Sequence, residues 1–250
     1  MTEFLLQTHD LSRRFGGLAA VGGVSLGVAM GQVHAVIGPN GAGKSTLINL
    51  LSGDLAPSSG RIVFEGSDIG GLAPDRISQL GIGRSYQKTN VFPPFTVLEN
   101  CRLAAQSRLA NSMRFFKAAD RYEAVVESAR GALRQAGLDG RERALVADLS
   151  HGERRQVEIA MALATRPRVL LLDEPLAGMG AEESQRITAL LGTLAADHAI
   201  VLVEHDMDAV FALAHTLTVM VNGKVLESGP PAQIRASRAV QAAYLGVDSA

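Results

Sequence analysis

The chain has little cysteine: one, Cys101, in 250 residues. A lone thiol forms no intramolecular disulfide and suits a reducing compartment. With no base evident beside it, we read Cys101 as unreactive. Charge of one sign is lacking too. Lys and Arg number 24 against 25 Asp and Glu, leaving a net charge of −1, which is no electrostatic footprint for nucleic acid or an anionic membrane surface. The pairs Arg13-Arg14 and Arg154-Arg155 read as solvated rather than polybasic. No apolar run approaches the roughly 18 residues a bilayer-spanning helix needs. Met1-Thr2-Glu3-Phe4 lacks the basic start of a secretory signal. Internal repeats and low-complexity tracts are missing. The expectation is a cytosolic protein, or one peripheral on the cytosolic face of something that spans the membrane itself. At 47% hydrophobic, the chain can bury one good core but is too short for two large independent domains.

What is present centres on Gly38-Pro39-Asn40-Gly41-Ala42-Gly43-Lys44-Ser45-Thr46, spaced as G-x-x-x-x-G-K-[S/T]. The apolar run Val33 to Ile37 enters it like a buried strand, and Leu47 to Leu51 leaves it like the first turns of a helix. Strand, glycine loop and helix bring backbone N–H groups and a helix N-terminus to one point, and that point attracts phosphate. Asn40, Gly41, Ala42, Gly43, Lys44, Ser45 and Thr46 are the expected nucleotide cradle. Lys44 would reach the β- and γ-phosphates, and the Ser45 hydroxyl would sit on magnesium.

Around this loop the texture varies. From Phe4 to Leu26, short apolar alternations broken by glycines predict antiparallel strands, and Gly60 to Gly66 encloses another. Ala73-Pro74-Asp75-Arg76 looks like a helix start. Between roughly Lys88 and Met161, glycines thin out and helical spacing dominates, as in Arg121 to Gln135; we read residues 88–161 as a helical subdomain inserted between 1–87 and 162–250. Strand texture returns at Val169 to Leu172 and at Ile200 to Val203. Between them Ile187, Leu190, Leu191 and Leu194 mark one helix face. Buried strands alternating with helices argue for an α/β fold with a mostly parallel sheet. Asn222-Gly223 inside Thr218 to Leu226 is a hairpin signal, and Pro230 to Leu245 reads as a helical tail.

Two further pieces carry chemistry. Val169 to Leu172 ends in Asp173-Glu174-Pro175, placing two carboxylates at the C-terminal edge of a central strand, where open α/β sheets bind ligands. Asp173 suits a magnesium-side role through water; Glu174 suits a general base for an attacking water. In Leu149-Ser150-His151-Gly152-Glu153, Ser150 and Glu153 form an S-x-x-E capping box that opens a helix. Gly152 in the first turn is a costly helix choice unless the backbone must approach something closely. A serine hydroxyl and free N–H groups there form a second anion site.

The segment Leu149 to Ala160 resembles the signature motif of ABC-transporter ATPases, commonly Leu-Ser-Gly-Gly-Gln, with departures at His151 and Glu153. The resemblance covers the whole chain, with six motifs in the family's order. It implies a P-loop ABC ATPase fold with an N-terminal antiparallel β subdomain, binding ATP and Mg2+. Gln87 matches the family's Q-loop glutamine, which contacts magnesium and the attacking water. His205 matches the switch histidine, and Phe15 the aromatic that stacks on adenine. Leu176-Ala177-Gly178-Met179-Gly180 stands where the D-loop usually reads Ser-Ala-Leu-Asp and lacks the aspartate. Phe92 to Asn100, Glu204 to Met207 and Ala243 to Gly246 resemble branched-chain amino acid importer subunits. The implied partners are membrane permease subunits, a second ATP-binding subunit (identical or similar) facing this one head to tail, and, indirectly, a solute-binding protein.

Other readings fit less of the chain. A P-loop kinase would explain Lys44 and Asp173 but not Ser150, and a GTPase would want an Asn-Lys-x-Asp reader that the sequence lacks. ABC systems for urea, amides or lipid export stay open beside amino acid import. A soluble, non-transport ABC ATPase usually carries a long coiled coil or two fused halves.

Overall fold

The computed structural model describes residues 4–86, 90–108 and 119–245. Gln87 lies outside the described residues. Two sheets organise the rest. The first is antiparallel: β1 (Leu6–Phe15), β2 (Leu18–Val28), β4 (Ser59–Phe64) and β5 (Ser67–Asp68), in the order β2-β1-β4-β5. A Gly16-Gly17 turn joins the first two, with Phe15 opposite Leu18, as the glycine-broken alternation predicts. The second sheet contains β3 (Val33–Ile37), β6 (Ile82–Ser85), β7 (Val169–Asp173), β8 (Ala199–Val203), β9 (Thr216–Val221) and β10 (Lys224–Gly229). Its order is β10-β9-β3-β8-β7-β6. It is parallel except at β10, which folds back through Asn222-Gly223, both at positive φ (50° and 78°), the backbone a tight hairpin demands.

Side-chain alternation explains why β7 and β8 read as unbroken apolar runs. Leu170, Leu172, Ile200 and Leu202 pack on the face covered by α3 (Val97–Gln106), α4 (Ala119–Gln135), α5 (His151–Ala164) and α6 (Ala181–Leu194). Val169, Leu171, Val201 and Val203 pack on the opposite face against the antiparallel sheet and α1 (Lys44–Leu51). On α6, Ile187, Leu191 and Leu194 are buried and Leu190 packs beside them, the face the spacing predicts. Further helices are α2 (Pro74–Leu80), with proline in its first turn, and α7 (Met207–Leu213).

The tail is helical with a proline start, as read, but no single helix spans it. It is two, α8 (Pro231–Ala236) and α9 (Arg238–Leu245), because Ser237 adopts an extended backbone (ψ 122°) and its hydroxyl accepts from the Val240 N–H at 3.4 Å. A serine that caps the next helix ends the previous one.

Strand register positions the site. Val36 is level with Val203, and Val203 with Asp173. The loop that follows β3 and the acids that end β7 therefore leave the same edge of the sheet, separated by the one strand β8.

Candidate functional site

The phosphate loop connects β3 to α1. Its glycines are there for space. Gly38 (φ 155°) has the Met220 carbonyl oxygen 2.1 Å from where a Cβ would stand, and Gly43 (φ 100°) has that of Ala20 at 2.3 Å. Gly43 is also the N-cap of α1. Lys44 folds back over the loop, its Nζ donating to the carbonyls of Gly38 (2.6 Å) and Pro39 (3.1 Å). Burial pulls Lys44 below the usual lysine range, while Glu174 and Asp173 push the other way. An ammonium that is partly desolvated and held by two neutral carbonyls is poised to gain from an anion.

Residues Asn40 to Thr46 and Glu174 line one cleft of about 390 Å³ together with Leu18, Ala19, Ala20, Asn222 and Gly223. The last five escaped the sequence reading. Asn222-Gly223 was visible as a hairpin turn, but its position was not: Gly223 N–H donates to the Ala42 carbonyl (3.0 Å) and Gly22 N–H to that of Gly223 (2.8 Å). The turn thus buttresses the phosphate loop of its own sheet and ties it to β2 of the antiparallel sheet. Phe15 sits outside this lining, at the turn one pair away from it, opposite Leu18; its ring is 45% exposed, with the Arg13 guanidinium 4.8 Å from the ring centre. It is not a core side chain.

Glu174 follows the strand end with φ 49° and donates its N–H to the Val203 carbonyl at 2.8 Å. This left-handed backbone is rare for a non-glycine residue and collects at functional sites. Asp173 lies beneath, 2% exposed. Burial raises it above the usual carboxylate range, opposed first by Arg84; Glu174 raises it further, and Lys44 and Arg155 oppose. Among the described residues its Oδ1 has no hydrogen-bond partner. Asp173 is not in the cleft lining, but its charge is felt by Lys44 of the loop; an orphan buried carboxylate oxygen there, with the exposed Ser45 in the lining, fits a hard divalent cation. No cluster of three or more His, Cys, Asp or Glu that could hold a metal occurs among the described residues.

His205 follows β8, with its N–H donating to the carboxylate of Glu204 (2.9 Å) and its ring 65% exposed. It is not in the cleft lining. Glu204, missed in the sequence, is 1% exposed and also accepts from the Leu176 N–H (2.8 Å), so it ties the end of β8 to the segment after Glu174.

Ser150 is the N-cap of α5, and the capping box with Glu153 forms as read. These residues line a different, smaller cavity, about 20 Å³, with Gly152, Glu183 and Arg186. Ser150 Oγ donates to Glu183 Oε1 at 3.0 Å and Gly152 N–H to the same oxygen at 3.3 Å. A Cβ on Gly152 would stand 2.8 Å from that carboxylate, which is the close approach the glycine serves. Two of the three departures from the family pattern, His151 and the segment after Pro175, touch each other: His151 Nε2 lies 3.1 Å from the Ala177 carbonyl. Further along α5, buried Arg155 donates to the Tyr86 carbonyl (2.9 Å), Glu158 (2.6 Å) and the Glu174 carbonyl (3.4 Å), while Glu158 accepts from the Asn90 N–H (2.6 Å). One helix so holds both flanks of residues 87–89 and the backbone of Glu174. Arg155 is 3% exposed, so the reading of Arg154-Arg155 as a solvated pair fails at Arg155, because the buried Glu158 carboxylate and two carbonyls hold its guanidinium inward.

A family model described as ABC transporter matches residues 21–177. The chain belongs to that family. A second model, branched-chain amino acid ATP-binding cassette transporter, matches residues 224–250. The cassette is 38% identical over 255 residues to the high-affinity branched-chain amino acid transport ATP-binding protein BraF of Pseudomonas aeruginosa, covering 98% of this chain and 99% of BraF. It is 34% identical to LivG of Escherichia coli K12, a protein of the same description, over the same shares. Among solved structures, it is similar to the ADP conformation of MJ1267, an ATP-binding cassette of an ABC transporter, with TM-score 0.86, 32% identity, and 98% and 100% of the two chains covered. The α/β P-loop fold expected from the motifs is the fold of this family, and the cassette is an ABC-type ATPase.

Proposed function

We propose that this cassette powers import of branched-chain or related amino acids, binding ATP with Mg2+ on the cytoplasmic face of a membrane permease and closing against a second ATP-binding subunit. The substrate class rests on the relatives BraF and LivG, whose names state branched-chain amino acid transport, and on the C-terminal family match. Among the described residues no helix is long and apolar enough to cross a membrane, so the passage itself belongs to a partner. The stacked pair Phe92 and Phe95, 5.6 Å apart and 50% and 41% exposed, offers apolar surface close in sequence to residues 87–89 for such a partner.

The observation that carries the closing step is the separation of the two anion sites. Lys44 and the loop line one cleft, Ser150 and Gly152 another. Within one chain, phosphates held at α1 leave an open side. A second copy placed head to tail would bring its α5 N-terminus to that side and exclude water except the attacking one. A solved dimer of a 24% identical cassette, MJ0796, has the same fold. In this reading Asn40 to Thr46 cradle the phosphates and Lys44 neutralises their charge. Ser45 and Asp173 hold the cation, which supplies charge neutralisation when bound. Glu174 takes the proton of the attacking water, with Gln87 and His205 orienting it, and Phe15 packs on the base. Residues 88–161 form the helical subdomain that passes motion to the permease.

The test is Glu174→Gln, weighed in solution with and without Mg-ATP. We expect ATP binding to persist, turnover to fall by roughly two orders of magnitude or more, and mass to double with ATP alone. Undiminished turnover would remove Glu174 as base. A variant that binds ATP yet never doubles would point to an obligate, different second subunit, which capture on membranes containing the permease would reveal.

A further inference from the structure

Arg84 lies on β6, level with Leu171 of β7. Its side chain is 8% exposed and meets three parts of the fold. Nη1 donates to Asp54 Oδ2 (2.6 Å) and to Ser52 Oγ (2.7 Å), and that hydroxyl donates in turn to Asp54 Oδ2 (2.6 Å). Ser52 is the C-cap of α1, the helix that the phosphate loop starts. Nη2 stands 3.6 Å from Asp173 Oδ2. The guanidinium also lies 4.4 Å from the centre of the Tyr86 ring, next to residue 87.

The unequal distances matter. A guanidinium left alone with a carboxylate closes on both oxygens in a bidentate pair, and an Asp173 held that way would offer a cation only oxygens already engaged by a positive charge. Here the short contact goes to Asp54, and Asp173 receives the long one through a single oxygen. Its other oxygen is buried and unpartnered among the described residues.

We propose that Arg84 is the positioning residue for Asp173: anchored by Asp54 and Ser52, it orients the carboxylate through Oδ2 and leaves Oδ1 for the divalent cation. The inference rests on the proposed metal-side reading of Asp173. It also links that carboxylate mechanically to the end of α1, so the loop and the acid share one strut.

The experiment uses the full chain, with binding of a fluorescent ATP analogue titrated by MgCl2 and, in parallel, in EDTA. Arg84→Met should raise the Mg2+ needed for half-maximal gain by about tenfold or more, the cost typical of losing an outer-shell partner. Affinity in EDTA should match the parent. Arg84→Lys, which keeps charge but loses the fork, should fall between, and decides alone if the methionine variant fails to fold. An unchanged Mg2+ half-maximum overturns the inference, and so does a loss of affinity equal in EDTA and Mg2+, the mark of a plain strut. Asp173→Asn separates the two levels. If it responds to Mg2+ like the parent, the reading of Asp173 falls and Arg84 with it; if it loses the response while the Arg84 variants keep theirs, only the role of Arg84 falls.

Discussion

The N-termini of α1 and α5 are two places where this cassette presents backbone N–H groups to an anion, and they are kept in opposite ways. At α1 the cradle is lined by backbone, its N-cap is glycine, and no side chain caps it. The charge that serves it, Lys44, is a cation parked on two neutral carbonyls. At α5 the donors are already engaged: Ser150 Oγ–H and Gly152 N–H both donate to the carboxylate of Glu183. One end waits open with its counter-charge nearby; the other is filled by an internal anion. A phosphate arriving at α1 gains a contact, whereas one arriving at α5 must exchange with a carboxylate. In the proposed function, this difference would let the first end bind nucleotide within a single chain, whereas the second would draw on the larger driving force of closure.

Breaking the open end gives the largest change. Lys44→Ala removes a charged donor, worth about 1.5 to 3 kcal/mol, so ATP affinity should weaken by roughly 10- to 100-fold in an equilibrium titration. Unchanged affinity would remove Lys44 from the phosphates. Sharpening the filled end comes next. Glu183→Gln keeps the size of the side chain and removes its charge, which at a helix N-terminus is worth about 0.3 to 1 kcal/mol. In the Glu174→Gln background, the ATP concentration for half-maximal mass doubling should therefore drop by roughly two- to fivefold. An equal or higher requirement would show that Glu183 does not compete with closure.

The smallest effect probes the strand beneath the open end. His34 on β3 is buried, its Nδ1 2.9 Å from the Gly27 carbonyl and its Nε2 2.7 Å from Thr218 Oγ1. Burial pushes it below the usual imidazole range, with the Gly27 contact opposing. The unfolded chain therefore takes up the proton first, so stability is full above the ordinary imidazole range and declines as pH falls below it. Urea unfolding between pH 8 and pH 5 should show a steeper acid loss in the parent than in His34→Gln. Equal slopes would show that His34 does not titrate on unfolding.

Much of this was legible beforehand, for local reasons. The loop between β3 and α1, the capping box at Ser150, the hairpin at Asn222-Gly223 and the alternating strands rest on interactions within a few residues, and their letters state those interactions. The helical tail was legible too, but not its break, because Ser237 can either continue a helix or cap the next, and here it caps. Arg155 was read as solvated, and Arg84, Glu158, Glu183 and Glu204 were passed over, because a charged letter says nothing of burial; each gains its role from a partner at least 28 residues away.

The sequence by itself determined the chemistry this chain can offer: a phosphate cradle, two acids at a strand end, a capped helix and the family that combines them. These are short-range patterns with steric and electrostatic requirements that few residue types meet. Only the tertiary structure decided that Glu183 sits on the Ser150 donors, that Asn222-Gly223 walls the cleft, and that Arg84 leaves Asp173 one free oxygen. Those facts depend on which strands lie side by side and in what register, and that is set by the burial of the whole apolar core at once.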